Sequence, residues 1–318
     1  MLPLVVTELI NSGAAILADG AVETRIEHET DLDLCPHLGA AALLERPDGR
    51  AALRVVYRSY LDVAWTHELP VLVGTPTTRA SRRYVERAGH GGEAVRRLNA
   101  VAVAFLEEVR GEAAHGPVYL AGAIGQYGAA GQPEDCLNHL DGADYHAEQV
   151  SALVDAGVDM LIAQGFTSIE EAHGAAIAMS VTGLPYAVGF ALDDRGRLPD
   201  LTYLHAAIER IDDMVDPAPT HYSLSCVRPR LARVALENLH VSSSQAAVRL
   251  REVKACTAEP TRAGPAAWPG DGAESPEAFG AAMHQLGIDF DVPILGGCCG
   301  TGAKHLAALA RRLGARTA

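Results

Sequence analysis

The chain has 318 residues, 48% of them hydrophobic and 21% charged, a composition that suits a folded protein with a large core and excludes a disordered or fibrous one. Its 26 basic and 40 acidic side chains give a formal charge of -14, which repels phosphate backbones and anionic membrane surfaces and argues against nucleic acid or membrane as a partner. Six cysteines in so long a chain are too sparse for a disulfide scaffold and leave thiols free for metal or catalysis.

The first 17 residues carry no basic stretch, and their apolar character is broken by Thr7, Glu8, Asn11 and Ser12. No later run reaches the roughly 18 apolar residues of a membrane span, so the expected location is the cytoplasm. Short apolar runs at residues 14–18, 70–73, 118–121, 160–163, 186–190, 221–224, 253–255 and 293–295 read as eight strands. Helical spacing fills stretches between them, at 51–67, 94–109, 145–156, 231–239 and 304–313. Ser168 with Glu171 reads as a capping box, Ser275-Pro276 as N-cap and N1, and Gly157, Gly183 and Gly287 as helix ends.

Eight βα units without a Gly-x-Gly-x-x-Gly turn point to a closed α/β barrel, a single (β/α)8 TIM barrel spanning residues 1–318 as one domain, rather than an open doubly wound sheet. Residues 257–272, rich in Pro, Gly and Ala, read as a long loop after strand seven, placed to cover an active site.

In such a barrel the chemistry sits where strands end. Strand one ends in Asp19-Gly20, strand two in Gly74-Thr75-Pro76-Thr77, strand three in a turn holding Gln126 and Tyr127, and strand four in Gln164-Gly165. Strand six ends in Ser225-Cys226, strand seven in Ala255-Cys256, and strand eight in Gly296-Gly297-Cys298-Cys299-Gly300-Thr301. Adjacent cysteines close a strained ring if oxidised, whereas flanking glycines let both thiolates turn toward one centre, so Cys298 and Cys299 suit a metal. The competing reading is two small buried core residues. Cys226 ends another even-numbered strand, and alternate strands share a layer of the barrel. Three thiolates leave a tetrahedral ion one open position, the pattern of a catalytic zinc site.

These residues resemble the zinc-dependent homocysteine S-methyltransferase family. The resemblance runs over nearly the whole chain, through Leu17-Ala18-Asp19-Gly20-Ala21, the segment 121–128, Ala156-Gly157-Val158-Asp159-Met160-Leu161, Cys226 with Pro229, and most specifically Gly296-Gly297-Cys298-Cys299-Gly300-Thr301. It implies a barrel, zinc (Zn2+) held by Cys226, Cys298 and Cys299, and a substrate thiol in the fourth position. It also implies that Asp19 helps to hold the amino group of a small thiol amino acid. Gln164, where the family has an acid, Thr75 and Tyr127 are the further substrate-binding candidates, Tyr127 as an aromatic face for a cationic donor.

A thiol with a pKa near 8.5 is mostly protonated at neutral pH, and a metal ion removes that proton. The thiolate then attacks an activated methyl. A sulfonium donor, S-methylmethionine or S-adenosylmethionine, leaves as a neutral thioether, so no catalytic residue is expected beyond the zinc site. Betaine is a further candidate donor. The departures at Gln164-Gly165 and Ser225 leave open a different thiol, selenol or sulfonium substrate on the same barrel, a demethylase or lyase, or a non-catalytic zinc-binding protein. Assembly state is left open. Cys256 reads as a wall residue, Cys35 with His37 and Cys136 with His139 as loop residues without a second half at zinc spacing, and His305 as either a support for the cysteine loop or a packing residue.

Overall fold

The computed structural model describes residues 5–112, 116–128, 135–257 and 274–314. Eight parallel strands close into one barrel: β1 (Ile16–Ala18), β2 (Val71–Gly74), β3 (Val118–Ile124), β4 (Met160–Phe166), β5 (Tyr186–Phe190), β6 (His221–Val227), β7 (Leu250–Ala255) and β8 (Ile294–Gly297), with β8 pairing back to β1. Because helices cover the outside and side chains fill the inside, the strands are buried on both faces and read as continuous apolar runs. All eight expected strands are present.

The helices, in chain order, are α1 (Val6–Asn11), α2 (Glu23–Glu29), α3 (Pro47–Thr66), α4 (Arg82–Arg87), α5 (Glu93–Glu112), α6 (His139–Ala156), α7 (Ile169–Ser180), α8 (Leu204–Met214), α9 (Pro229–Ser242), α10 (Ser244–Ala247), α11 (Pro276–Asp289) and α12 (Ala303–Gly314), with a short 3-10 turn at Ala40–Glu45. No helix among the described residues is long and apolar enough to cross a membrane. One cluster of buried side chains lies between strands and helices, including Leu17, Val73, Leu120, Val188 and Leu224. A second fills the barrel: Ile16, Ala18, Leu72, Ala121, Met160, Ile162, Ala187 and Ile294 pack with Val6, Leu9 and Ile10 of α1. Since α1 runs directly into β1, it plugs the end where the strands begin.

The helix signals hold in part. Ser275 caps α11, its hydroxyl accepting from the Ala278 N–H at 3.2 Å, and Gly157 ends α6 in the left-handed region. Two expectations fail. Ser168 does stand at the N-cap of α7 but makes no side-chain cap bond, and Glu171 is turned inward. Its carboxylate accepts from the Tyr127 and Leu137 N–H groups at 2.5 and 3.3 Å and meets His146 Nε2 at 3.0 Å. Gly287 does not end its helix; α11 continues to Asp289, and the glycine lies close against its neighbours, a Cβ there standing 2.7 Å from Leu295 Cδ1 and 3.1 Å from the Val292 carbonyl oxygen. Residues 258–273, most of the expected covering loop, lie outside the described residues.

The seam between β8 and β1 depends on close backbone approach. A Cβ on Gly296 would lie 2.6 Å from the Ala18 Cβ and 2.7 Å from the Ala18 carbonyl oxygen. The Gly296→Ala variant is expected to lose about 2 kcal/mol of stability through overpacking, read as a lower urea midpoint at unchanged slope. A midpoint equal to wild type would show that the seam tolerates the methyl group.

Candidate active site

Two strands depart from regular pairing on the way to the site. In β6 the register shifts between Ser225 and Val227, leaving Cys226 as the extra residue, with φ +54°. A non-glycine residue in that region is uncommon, and a bulge removes its side chain from the strict in-out alternation. The strand therefore runs three residues past the expected end at 224 and carries Cys226 within it. In β4 the shift falls between Ala163 and Phe166, with Gly165 at φ +71°. Gln164 and Gly165 likewise belong to the strand rather than to the turn after it.

The bulge brings the three expected thiols together. The sulfur atoms of Cys226, Cys298 and Cys299 all lie within 4.8 Å of one another, Cys226 to Cys298 at 2.9 Å and Cys298 to Cys299 at 4.0 Å. All are free of disulfides. Hydrogen bonding from its two neighbours holds the Cys298 thiol well below its ordinary range against the opposing effect of burial, and Lys254 adds to the lowering. The same contacts hold Cys226 well above it.

The loop that presents Cys298 and Cys299 is fixed from several sides. The Cys298 N–H donates to the Ala255 carbonyl at 2.8 Å, and the Thr257 N–H donates to the Cys299 carbonyl at 3.2 Å. Thr301, fully buried, donates its hydroxyl to the Cys298 carbonyl at 2.6 Å. His305 accepts the Gly302 N–H at Nδ1, 3.2 Å away, and its ring meets Phe279 edge-on at 5.6 Å, so it both supports this loop and packs. Burial holds His305 below its usual pKa.

Below the thiols, Asp19 at the end of β1 and Gln164 in β4 line one small cavity of about 10 Å³ together with Ala18, Leu72, Gly74, Glu252 and Lys254. Such a volume holds about one water molecule. Asp19 is not a free carboxylate: its Oδ2 accepts the Gly74 N–H at 2.8 Å and its Oδ1 pairs with the Lys254 ammonium. Burial raises the Asp19 carboxyl, which the lysine and the Gly74 N–H partly offset. Burial alone would lower Lys254, but the carboxylates of Asp19 and Glu252 outweigh it and hold the ammonium charged. One inward layer deeper, Glu252 meets His221 Nε2 at 3.1 Å.

The remaining candidates are placed less directly. The Thr75 hydroxyl is used within the fold, donating to Thr77, whose own proton goes to the Ala123 carbonyl, and accepting the Ala123 N–H at 2.9 Å. Tyr127 meets Tyr145 edge-on and carries the Arg83 guanidinium over its ring at 4.0 Å; that face already holds a cation. Gln126 ties the turn after β3 to β4, its carbonyl accepting the Thr167 hydroxyl at 2.8 Å. Cys256 is fully buried and stands outside the thiol cluster. Cys35 accepts the Leu38 N–H at 3.5 Å, and His139 stacks on His173 and pairs with Glu170, so neither Cys-His fragment forms a metal site among the described residues.

Lys254, Glu252, His221 and Ser225 were not singled out as a group by the sequence reading. The signal was available: charges at alternate positions of a strand buried on both faces, as in Glu252 and Lys254, must both point inward.

A family model described as homocysteine S-methyltransferase matches residues 16–313. The chain belongs to the homocysteine S-methyltransferase family. It is a thiol S-methyltransferase on that ground. The family chain is 23% identical over 331 residues to betaine–homocysteine S-methyltransferase 1 from Bos taurus, covering 97% of this chain and 74% of that one. Its fold is similar to that of the homocysteine methyltransferase MmuM from Escherichia coli. The metallated form superposes with a TM-score of 0.74 at 19% identity, over 96% of this chain and 98% of that one. The oxidised form gives 0.76 at 19% identity, over 97% and 99%. These likenesses establish the barrel; the family assignment rests on the sequence match.

The His305 bond gives a pH expectation. A folded-state pKa below the unfolded 6.5 means that the folded protein favours neutral imidazole, so this contribution is intact above pH 6.5 and is lost as the pH falls below it. The stability difference between wild type and His305→Gln should therefore shrink between pH 7.5 and pH 5 in urea titrations. A difference that grows on acidification would contradict the assignment.

Proposed function

We propose that this enzyme transfers a methyl group from a sulfonium donor, S-methylmethionine or S-adenosylmethionine, to homocysteine or a closely related small thiol, at a zinc ion held by Cys226, Cys298 and Cys299. The observation that carries the reading is the convergence of three thiols from the C-terminal ends of β6 and β8. A tetrahedral zinc with Zn–S bonds of about 2.3 Å needs sulfurs about 3.8 Å apart. The spacings of 2.9 and 4.0 Å bracket that value, and a soft all-thiol donor set suits zinc. When bound, the ion would lower the pKa of an acceptor thiol so that it reacts as thiolate at neutral pH.

The chain's own part is positional. The bulge at Cys226 aims one sulfur at Cys298, and Thr301 with His305 holds the loop that carries Cys298 and Cys299. The acceptor sulfur forms a bond to the methyl carbon as the donor's carbon–sulfur bond breaks. The bonding pair leaves with the donor as a neutral thioether, and the acceptor's proton goes to solvent, so no acid is required. A quaternary ammonium donor such as betaine meets the same balance, leaving as a neutral amine. Residues 1–318 act together as one catalytic unit in this reading.

Elemental analysis tests it. Wild-type protein purified under reducing conditions should contain one zinc per chain, and Cys298→Ser should lose most of it. Homocysteine added to the zinc-loaded wild type should release a proton in unbuffered titration. Absence of zinc from the reduced wild type would overturn the mechanism.

A further inference from the structure

We propose that Glu252 is a specificity residue for the amino group of the acceptor thiol, supplying from β7 the second negative charge that Gln164 does not supply from β4. This rests on the homocysteine-methylating reading above and names a further residue that recognises that acceptor.

Glu252 and Lys254 stand two apart on β7, so both side chains point to the inside of the barrel. They line the same small cavity as Asp19 of β1 and Gln164 of β4, and Asp19, Glu252 and Lys254 are its charged residues. Lys254 pairs directly with Asp19 and is held charged by both carboxylates. Two carboxylates therefore face one ammonium, and the floor keeps one negative charge in excess. With Asp19 alone, Lys254 would leave the floor neutral; Glu252 is what makes it anionic. In a site shielded from water such an excess draws a cation far more strongly than it would in solution.

The hydrogen-bonding capacity of the floor is also unfilled. Glu252 is 1% exposed and meets His221 Nε2 at 3.1 Å through Oε2, while its Oε1 accepts no hydrogen bond among the described residues. Asp19 accepts one hydrogen bond at each oxygen, from Gly74 and from Lys254, and a carboxylate has about four acceptor positions. The Ser225 hydroxyl, on β6 in register with Lys254, is buried without a partner and faces Gly165 beside Gln164. Buried acceptors left unpaired are uncommon. An ammonium group brings three donors and fills about the space of one water, which the cavity of about 10 Å³ admits. Asp19, Glu252 and the amide oxygen of Gln164 or the Ser225 hydroxyl are the acceptors it would meet.

Homocysteine and 4-mercaptobutanoate differ only by the amino group, so their ratio isolates its recognition. Zinc-loaded protein is titrated calorimetrically with each thiol, and kcat/KM is measured for each with S-methylmethionine as donor. Wild type should prefer homocysteine. Glu252→Gln should lower that preference by about tenfold or more, the change falling on the KM for homocysteine. The double variant Glu252→Gln with Gln164→Glu, which moves the charge from β7 to β4, should restore most of it; a purely structural role for Glu252 gives no such rescue. Gln164→Glu alone keeps the native Glu252 and should add less than about threefold, because the floor already carries the charge that balances one ammonium. A larger gain in that variant would overturn the proposal even where Glu252→Gln does not fold. An equal loss for both thiols in Glu252→Gln without rescue would overturn it too, as would a wild type that does not distinguish them. Binding of neither thiol to the zinc-loaded wild type would overturn the zinc-thiol reading itself, and this proposal with it.

Discussion

The meeting of β8 with β1 is the constraint on which the site depends. Closing a parallel barrel requires the last strand to pair with the first, and here it does so with Gly296 pressed against the backbone of Ala18. The same absence of side chains gives Lys254 a path to Asp19. It also lets the chain turn directly from the seam into Cys298 and Cys299. Barrel closure, the floor charge pair and the placement of two thiols are thus consequences of one stretch of backbone.

The third thiol reaches the centre by a different device. A regular strand would alternate Ser225 and Cys226 between opposite faces. The register shift at this point places both on the inside, the serine toward Gly165 and the cysteine toward Cys298. A similar shift in β4 accompanies the turn of Gln164 toward the same cavity. Irregularities in two strands on either side of β5 therefore shape one wall of the site, in keeping with the concentration of bulges beside active sites.

The strands were legible because burial on both faces leaves a plain apolar run, and the cysteines because adjacent thiols between glycines have few other uses. Strand ends were less legible. A run that stops being apolar at Leu224 or Ala163 looks finished, whereas backbone pairing continues through polar residues that face the site. Glu171 illustrates a second limit: its spacing from Ser168 matches a cap, but the buried N–H groups of Tyr127 and Leu137 and the ring of His146 compete for the carboxylate and win. Asp19 illustrates a third. Its position at the end of β1 marked it as a site residue, but its partner lies 235 residues away, and no local pattern announces so distant a pair.

The plug formed by Val6, Leu9 and Ile10 closes the end of the barrel where the strands begin, and Ile16, Leu72, Met160, Ile162 and Ile294 fill the space above it. A barrel packed through its middle is a pedestal and not a passage. The two ends of the molecule are therefore unequal in kind: one is given over to holding the strands together, and a change there is felt as stability, while the other is left to carry the polar and thiol side chains.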